Sequence, residues 1–334
     1  MNIQKINEIL TIEKVFEESL RDLNGSELIS RLPGKQMAYF PLFEFTNGYN
    51  MESSANLVYL TKVNLDGIKI MGIDSSIMPI AESVDGVLYA LRGAVVSYNP
   101  SLDRYEITVD GPRLVYYTRS FVKNIHNLVK VSLNTLLKSI YDTYLAKKVL
   151  ISIYEFGLLW NLATRNRKVI LLYDGSPQSL IIKPKIHENL LYALEGNDVS
   201  LVGISKRSRL VKRFYETLIF IKNLGVDSFV RVDVRGYITD TYVGYLNVSS
   251  GMPFRIDISR NSPVSTLNIV YSIPSNGSGY PSVLIEAHTI SKLRYRDVIG
   301  LYMEILERGG IIRNSLSHRG IILGPLEGGL DEAV

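Results

Sequence analysis

Cysteine is absent from all 334 residues. That single absence excludes disulfides, thiolate-bound zinc and a cysteine nucleophile together. Any metal must then be held by Asp, Glu, His and water, an oxygen-rich setting that suits manganese or magnesium. Histidine is scarce too: His126, His187, His288 and His318 are scattered, with no His-Glu-x-x-His pair and no zinc spacing. No Gly-x-x-x-x-Gly-Lys loop is present, so ATP hydrolysis would have to come from a partner, and no Gly-x-Ser-x-Gly nucleophile elbow is present. Long apolar runs are also missing. The most apolar stretch, Val149 to Ala163, is short for a membrane span and contains Glu155 and Asn161, so it reads as a core helix and no membrane association is expected. The first residues, Met1-Asn-Ile-Gln-Lys-Ile-Asn-Glu8, are polar, with no secretory signal, and a cytoplasmic protein is expected.

What is present suits a globular chain: 46% hydrophobic and 21% charged residues, enough apolar surface for a large core. The net charge of +4 permits a nucleic-acid partner without requiring one. Residues 2–31 carry apolar residues at helical spacing (Ile6, Ile9, Leu10, Val15, Leu20, Leu23, Leu28) with a break at Asn24-Gly25-Ser26, and 35–62 reads as irregular. We therefore expect an N-terminal helical and irregular extension over 1–62 and a main domain over 63–334, forming one compact unit.

Short strands are expected next: Lys69–Asp74, one or two within Gly86–Ser97, then Arg104–Val109 and Leu114–Thr118, with turns at Asn99-Pro100 and Asp110-Gly111-Pro112. Leu136, Ile140, Tyr144, Ile151, Leu158 and Leu162 predict one long helix over 132–164. Val169–Tyr173 is apolar on both faces, as in a central strand. Strands follow at Leu201–Ser205, Phe229–Val234, Tyr242–Val248, Arg255–Ile258 and Leu267–Ile273. The segment from Tyr280 to His288 leads into a helix that runs through Leu306. The fold class is α/β, a mixed sheet flanked by helices with N-terminal helical and β extensions.

Three carboxylates stand out. Ile68-Lys-Ile-Met-Gly-Ile-Asp74-Ser-Ser and Val169-Ile-Leu-Leu-Tyr-Asp174-Gly-Ser are apolar strands that end in aspartate, and Glu155 falls on the apolar stripe of the helix between them. An aspartate after a strand equally opens a turn or caps a helix, but a carboxylate on a buried stripe is costly to desolvate. The order strand–Asp, antiparallel strands, helix–Glu, strand–Asp is that of an RNase H-like core. There, hard cations about 4 Å apart share carboxylate oxygens, one helping to form the nucleophile and the other stabilising the leaving oxygen. Lys206, Arg207, Arg209, Lys212 and Arg213 give five positive charges and no negative one in eight positions. Such a run is either a solvated face or a backbone-binding patch. Lys292, Arg294 and Arg296 make a weaker cluster.

Taken together, Gly72-Ile-Asp74-Ser-Ser, Glu155, Leu171-Leu-Tyr-Asp174-Gly-Ser, Gly203-Ile-Ser-Lys206 and Gly279-Tyr280-Pro-Ser-Val-Leu-Ile-Glu-Ala-His288 resemble the archaeal NurA nuclease family, over roughly residues 65–300. Ser75 stands where the commoner pattern has glycine. The resemblance implies a PIWI-related RNase H-like fold and a manganese-dependent 5′-to-3′ exonuclease on single- and double-stranded DNA, with endonuclease activity on single strands; magnesium is an alternative cofactor. It implies a homodimer that docks on a hexameric HerA ATPase in DNA-end resection and double-strand break repair. It makes Asp74, Glu155 and Asp174 metal ligands, His288 a further ligand or proton-transfer group, and Tyr280 a residue that orients DNA or a phosphate, beside the basic run from Lys206 to Arg213. The alternatives are a non-catalytic DNA clamp that couples a motor to another enzyme, and another RNase H-like nuclease acting on RNA or branched DNA.

Overall fold

In a computed structural model, residues 14–23, 29–30, 57–140, 142–177, 181–206, 208–232 and 238–308 are described. The helical pattern expected before Lys14 and the break at 24–26 lie outside them. Helical residues 14–23 are followed by two strands, β1 (Ile29–Ser30) and β2 (Leu57–Tyr59). A long meander follows: β3 (Lys69–Glu82), β4 (Gly86–Asn99) and β5 (Arg104–Thr118). Then come α1 (Arg119–Ile125), α2 (Leu133–Ser139), α3 (Thr143–Arg165), β6 (Val169–Asp174), α4 (Pro184–Gly196) and β7 (Val199–Ser205). The rest is α5 (Arg209–Arg213), α6 (Tyr215–Leu224), β8 (Ser228–Val232), β9 (Thr239–Gly244), β10 (Phe254–Ser259), α7 (Thr266–Ser272), α8 (Ser282–Ser291) and α9 (Tyr295–Arg308).

All ten strands join one mixed sheet in the order β2-β8-β9-β10-β7-β6-β3-β4-β5, with β1 paired to the far end of β3. The strands β3, β6 and β7 are parallel, and their neighbours are antiparallel. Parallel strands need crossovers, and α3 and α4 supply them as layers over one face. The alternation of β3, β6 and β7 splits the core accordingly. Met71, Ile73, Leu171, Tyr173 and Leu201 meet Leu150, Ile153 and Phe156 of α3 and Leu190 of α4. Ile70, Leu172, Val202 and Ile204 meet Leu267 of α7 and Val283, Leu284 and Ala287 of α8 on the other face. Each such side chain, fully withdrawn from water, contributes about 1.5–3 kcal/mol before entropy is counted. The N-terminal extension joins the same core: Val15 and Phe16 pack with the α3 layer, Leu23 packs on Ile80 and Tyr116, and β2 completes one end of the sheet.

Several elements differ from the sequence expectation. The strand containing Asp74 does not stop there; β4 keeps pairing with β3 as far as Glu82, through Ser75 and Ser76. Asp110-Gly111-Pro112 is no turn between strands but a kink within β5, where the register against β4 shifts between Leu91 and Gly93. A proline fits there because a bulge needs no ladder N–H, and Gly111 takes a φ of +93° that side chains resist. The long helix is two, because Asp142 caps a new start by accepting from the N–H groups of Tyr144 (3.0 Å) and Leu145 (3.1 Å). The segment 267–273 is helical rather than extended, since its short apolar run fits either period. The strand at 242 stops at Gly244, and the last helix is broken between Ser291 and Tyr295.

Candidate metal centre

The parallel register of β3 on β6 pairs Ile73 with Tyr173, so Asp74 and Asp174 follow side by side at the edge where β6 ends. Both point to the face covered by α8. Gly72, two residues before Asp74, lets that helix lie directly on the strand: a Cβ there would stand 2.7 Å from the carbonyl oxygen of Val283. The close approach carries His288, in the last turn of α8, over the two aspartates. One ligand atom from each of Asp74, Asp174 and His288 falls within 4.8 Å of the others.

Asp74 is 8% exposed. Its Oδ2 accepts from the Ser291 hydroxyl at 3.0 Å and lies 2.8 Å from His288 Nδ1. Burial pushes the Asp74 carboxyl above the usual range; these contacts and the Ser75 N–H pull it back, and the charge of Asp174 raises it further. With Nδ1 turned to Asp74, Nε2 is the His288 nitrogen left for another partner, and the side chain is 60% exposed. Lys206 Nζ stands 3.7 Å from Asp174 Oδ2 and 3.6 Å above the Tyr280 ring. Tyr280 is 1% exposed and stacked on Phe254 at 5.8 Å. Its hydroxyl is buried without a hydrogen bond of ordinary geometry, and burial, then the charge of Asp174, pushes it far up. Tyr280, expected to orient DNA or a phosphate, is a buried floor under Lys206.

Glu155 is near the cluster but not in it. It rises from α3 on the other face, where its Oε1 accepts from the Ser75 hydroxyl at 2.6 Å and its Oε2 from the Tyr173 hydroxyl. Burial first, then the charges of Asp74 and Asp174 against the two hydroxyls, raise its carboxyl to about 7. Glu155, expected as a ligand beside the aspartates, lies outside the group of ligand atoms that Asp74, Asp174 and His288 bring within 4.8 Å, and its oxygens accept from Ser75 and Tyr173. Lys212 and Arg213 are exposed on α5. Arg207 and the side chain of Arg209 lie outside the described residues, and Lys292, Arg294 and Arg296 are exposed around the α8–α9 junction.

Two carboxylates and an imidazole, with Lys206 the one ammonium paired to them among the described residues, fit a divalent cation: the carboxylates are hard donors that suit manganese or magnesium, the imidazole is a softer one that magnesium rarely takes, and the repulsion of the carboxylates is what a cation relieves. Sequence reasoning missed Ser291, Ser75 and Tyr173. Ser291 sits three residues after His288 and so shares its helix face, a signal that could have found it. Tyr173 read as one more apolar strand residue, and its hydroxyl carries no pattern.

The Ser291 hydroxyl holds a ligand without being one, and removing such a partner usually costs 10- to 100-fold in metal affinity. Ser291→Ala is expected to weaken manganese binding about 10-fold, read by calorimetric titration, with little change in thermal midpoint. Wild-type affinity in the variant would mean that the hydroxyl does not orient Asp74.

No protein-family model matches this chain, and neither does any curated protein.

Proposed function

We propose that this protein is a metal-dependent DNA nuclease with an RNase H-like core, of the kind its motifs resemble in the NurA family. The observation that carries the reading is the juxtaposition of Asp74 and Asp174 on adjacent parallel strands, with His288 brought over them by α8. The strand order β5-β4-β3-β6-β7, three antiparallel strands followed by two parallel ones through α3 and α4, supports the core assignment.

Asp74, Asp174 and His288 would hold the cation, manganese by preference. When bound it would activate water and stabilise charge at the phosphodiester. The chain's own groups do the rest. Lys206, propped on the Tyr280 ring, is placed to neutralise a non-bridging phosphate oxygen once it leaves Asp174. His288 is oriented through Nδ1 by Asp74, which leaves Nε2 as the nitrogen that would bind the cation. Homodimerisation and docking on a HerA-type hexameric ATPase belong to the same proposal and rest on the motif resemblance alone.

The test is degradation of 5′-labelled and 3′-labelled linear DNA with manganese, magnesium or EDTA. Cleavage that needs the divalent ion is expected, with label loss from the 5′ end first. A second reading, a DNA clamp that does not cut, is favoured by one feature, the engagement of Glu155 with Ser75 and Tyr173. It predicts DNA binding with no cleavage under any divalent ion, even when the motor partner is added.

A further inference from the structure

Acidic residues number 33 in 334, about one in ten, so a stretch of 31 residues would ordinarily carry about three. Residues 111–141 carry none, although Arg113, Arg119, Lys123, Lys130 and Lys138 fall among them. Residues 175–187 carry none either, and contain Lys183 and Lys185. The fold brings these two acid-free stretches together through an antiparallel bridge between Val129 and Ile182. The Lys130 N–H donates to the Ile181 carbonyl at 2.7 Å, and the Lys183 N–H to that of Leu128 at 3.2 Å. Val129 and Ile182 are buried, so by strand alternation Lys130 and Lys183 face outward. Lys185 is exposed in the first turn of α4.

Position makes this patch more than a solvated face. The helix α4 starts where β6 ends, so its first turn stands at the same sheet edge as Asp174. Only residues 175–181 separate Asp174 from Ile182, at most about 28 Å of fully extended chain. Val129 and Ile182 belong to the core on the α3–α4 face, whereas Asp74 and Asp174 point to the α8 face, so the patch lies across the sheet edge from the metal centre.

We infer that Lys130, Lys183 and Lys185, gathered by the 129–182 bridge beside the end of β6, form a second surface that binds the phosphate backbone of DNA. This rests on the nuclease reading above. A polyanion wrapped over that sheet edge would meet Lys206 beside Asp174 and this patch across the edge from it. Such contacts position the strand without reading its sequence.

The test is binding of a short labelled duplex by the full chain in EDTA, so that nothing is cut, across a series of salt concentrations. The variant is Lys130→Ala/Lys183→Ala/Lys185→Ala. The control is Lys69→Ala/Arg165→Ala/Arg167→Ala, three exposed cations at the opposite edge of the sheet. The patch variant is expected to bind at least about 10-fold more weakly, with the slope of log K against log salt reduced by about 2 to 3, while the control keeps the wild-type slope. Equal slopes for wild type and patch variant would overturn the inference and leave the nuclease reading intact. Equal losses in patch and control variants would overturn it as well, since general charge would then suffice. Loss of affinity for an RNA hairpin with none for the duplex would assign the surface to RNA. A wild-type protein that binds no DNA at all would sink the nuclease reading and this inference with it.

Discussion

Asp74→Asn and Asp174→Asn are each expected to reduce manganese-dependent DNA cleavage by about a thousandfold or more, equivalent to at least roughly 4 kcal/mol of lost transition-state stabilisation. The metal-free Asp74→Asn protein should nonetheless be at least as stable as the wild type at pH 8. Both expectations come from one geometry. The two carboxylates follow the same register pair on adjacent strands, and Asp74 is buried there. Charge that a cation would satisfy is, without one, self-repulsion in a poorly solvated place. The sign follows from the raised Asp74 pKa. A carboxyl that holds its proton more tightly in the folded state makes its stabilising contribution at low pH, and that contribution is lost as pH rises through the unfolded and then the folded value. Asparagine removes the charge and keeps an oxygen for Ser291. Urea denaturation in EDTA measures the stability, and the labelled-DNA assay measures the activity. Adding manganese at 100 times its Kd should then stabilise the wild type by about 2.7 kcal/mol and neither variant comparably. A folded Asp74→Asn protein that cuts DNA at the wild-type rate would remove Asp74 from the site.

The split between what the sequence reveals and what it conceals has a physical basis in these same residues. Asp74 and Asp174 were legible because each follows an apolar strand, and a strand's local pattern survives whatever packs on it. Their adjacency was legible only through element order, since β3 and β6 are 100 residues apart at the register pair Ile73–Tyr173. The extent of β3 was not legible. Ser75 and Ser76 look like a strand end, yet Ser75 donates to Glu155 and Ser76 takes the Leu293 N–H at 3.0 Å, so two small polar residues continue a strand by serving other elements. The kink at Gly111-Pro112 reads as a turn for a similar reason: local chemistry reports a break in ordinary geometry, and only the partner strand decides whether the chain reverses or bends. Placement of Glu155 was half legible. Its apolar surroundings on α3 marked it as unusual, but which face of the sheet that helix covers is a tertiary fact, and it turns a third ligand into a neighbour held by Ser75 and Tyr173.

That neighbour yields the other large expectation. Glu155→Gln should stabilise the metal-free protein at pH 8 by up to about 3 kcal/mol and remove most of the pH dependence between 4.5 and 7. The Glu155 carboxyl is raised from 4.5 to about 7, chiefly by burial. Between those values the folded state keeps the proton while the unfolded state has released it, so wild-type stability must fall as pH rises through that window and level off above it. The span of about 2.5 units, at 1.36 kcal/mol per unit, sets the ceiling. Asp74 adds a slope of the same sign, so the variant's profile should flatten without becoming level. Glutamine preserves the contacts: its carbonyl can accept from Ser75 or Tyr173, and the other hydroxyl can rotate to accept from its NH2. Denaturation midpoints of both proteins in EDTA, from pH 4 to 8, make the comparison. If wild-type stability rises across the window, the hydroxyls of Ser75 and Tyr173 outweigh burial and Glu155 is a satisfied structural anion. If it falls as expected, the fold is holding an unneutralised carboxylate against its own stability, one shell from two others. A cation nearby is the direct relief for such an arrangement.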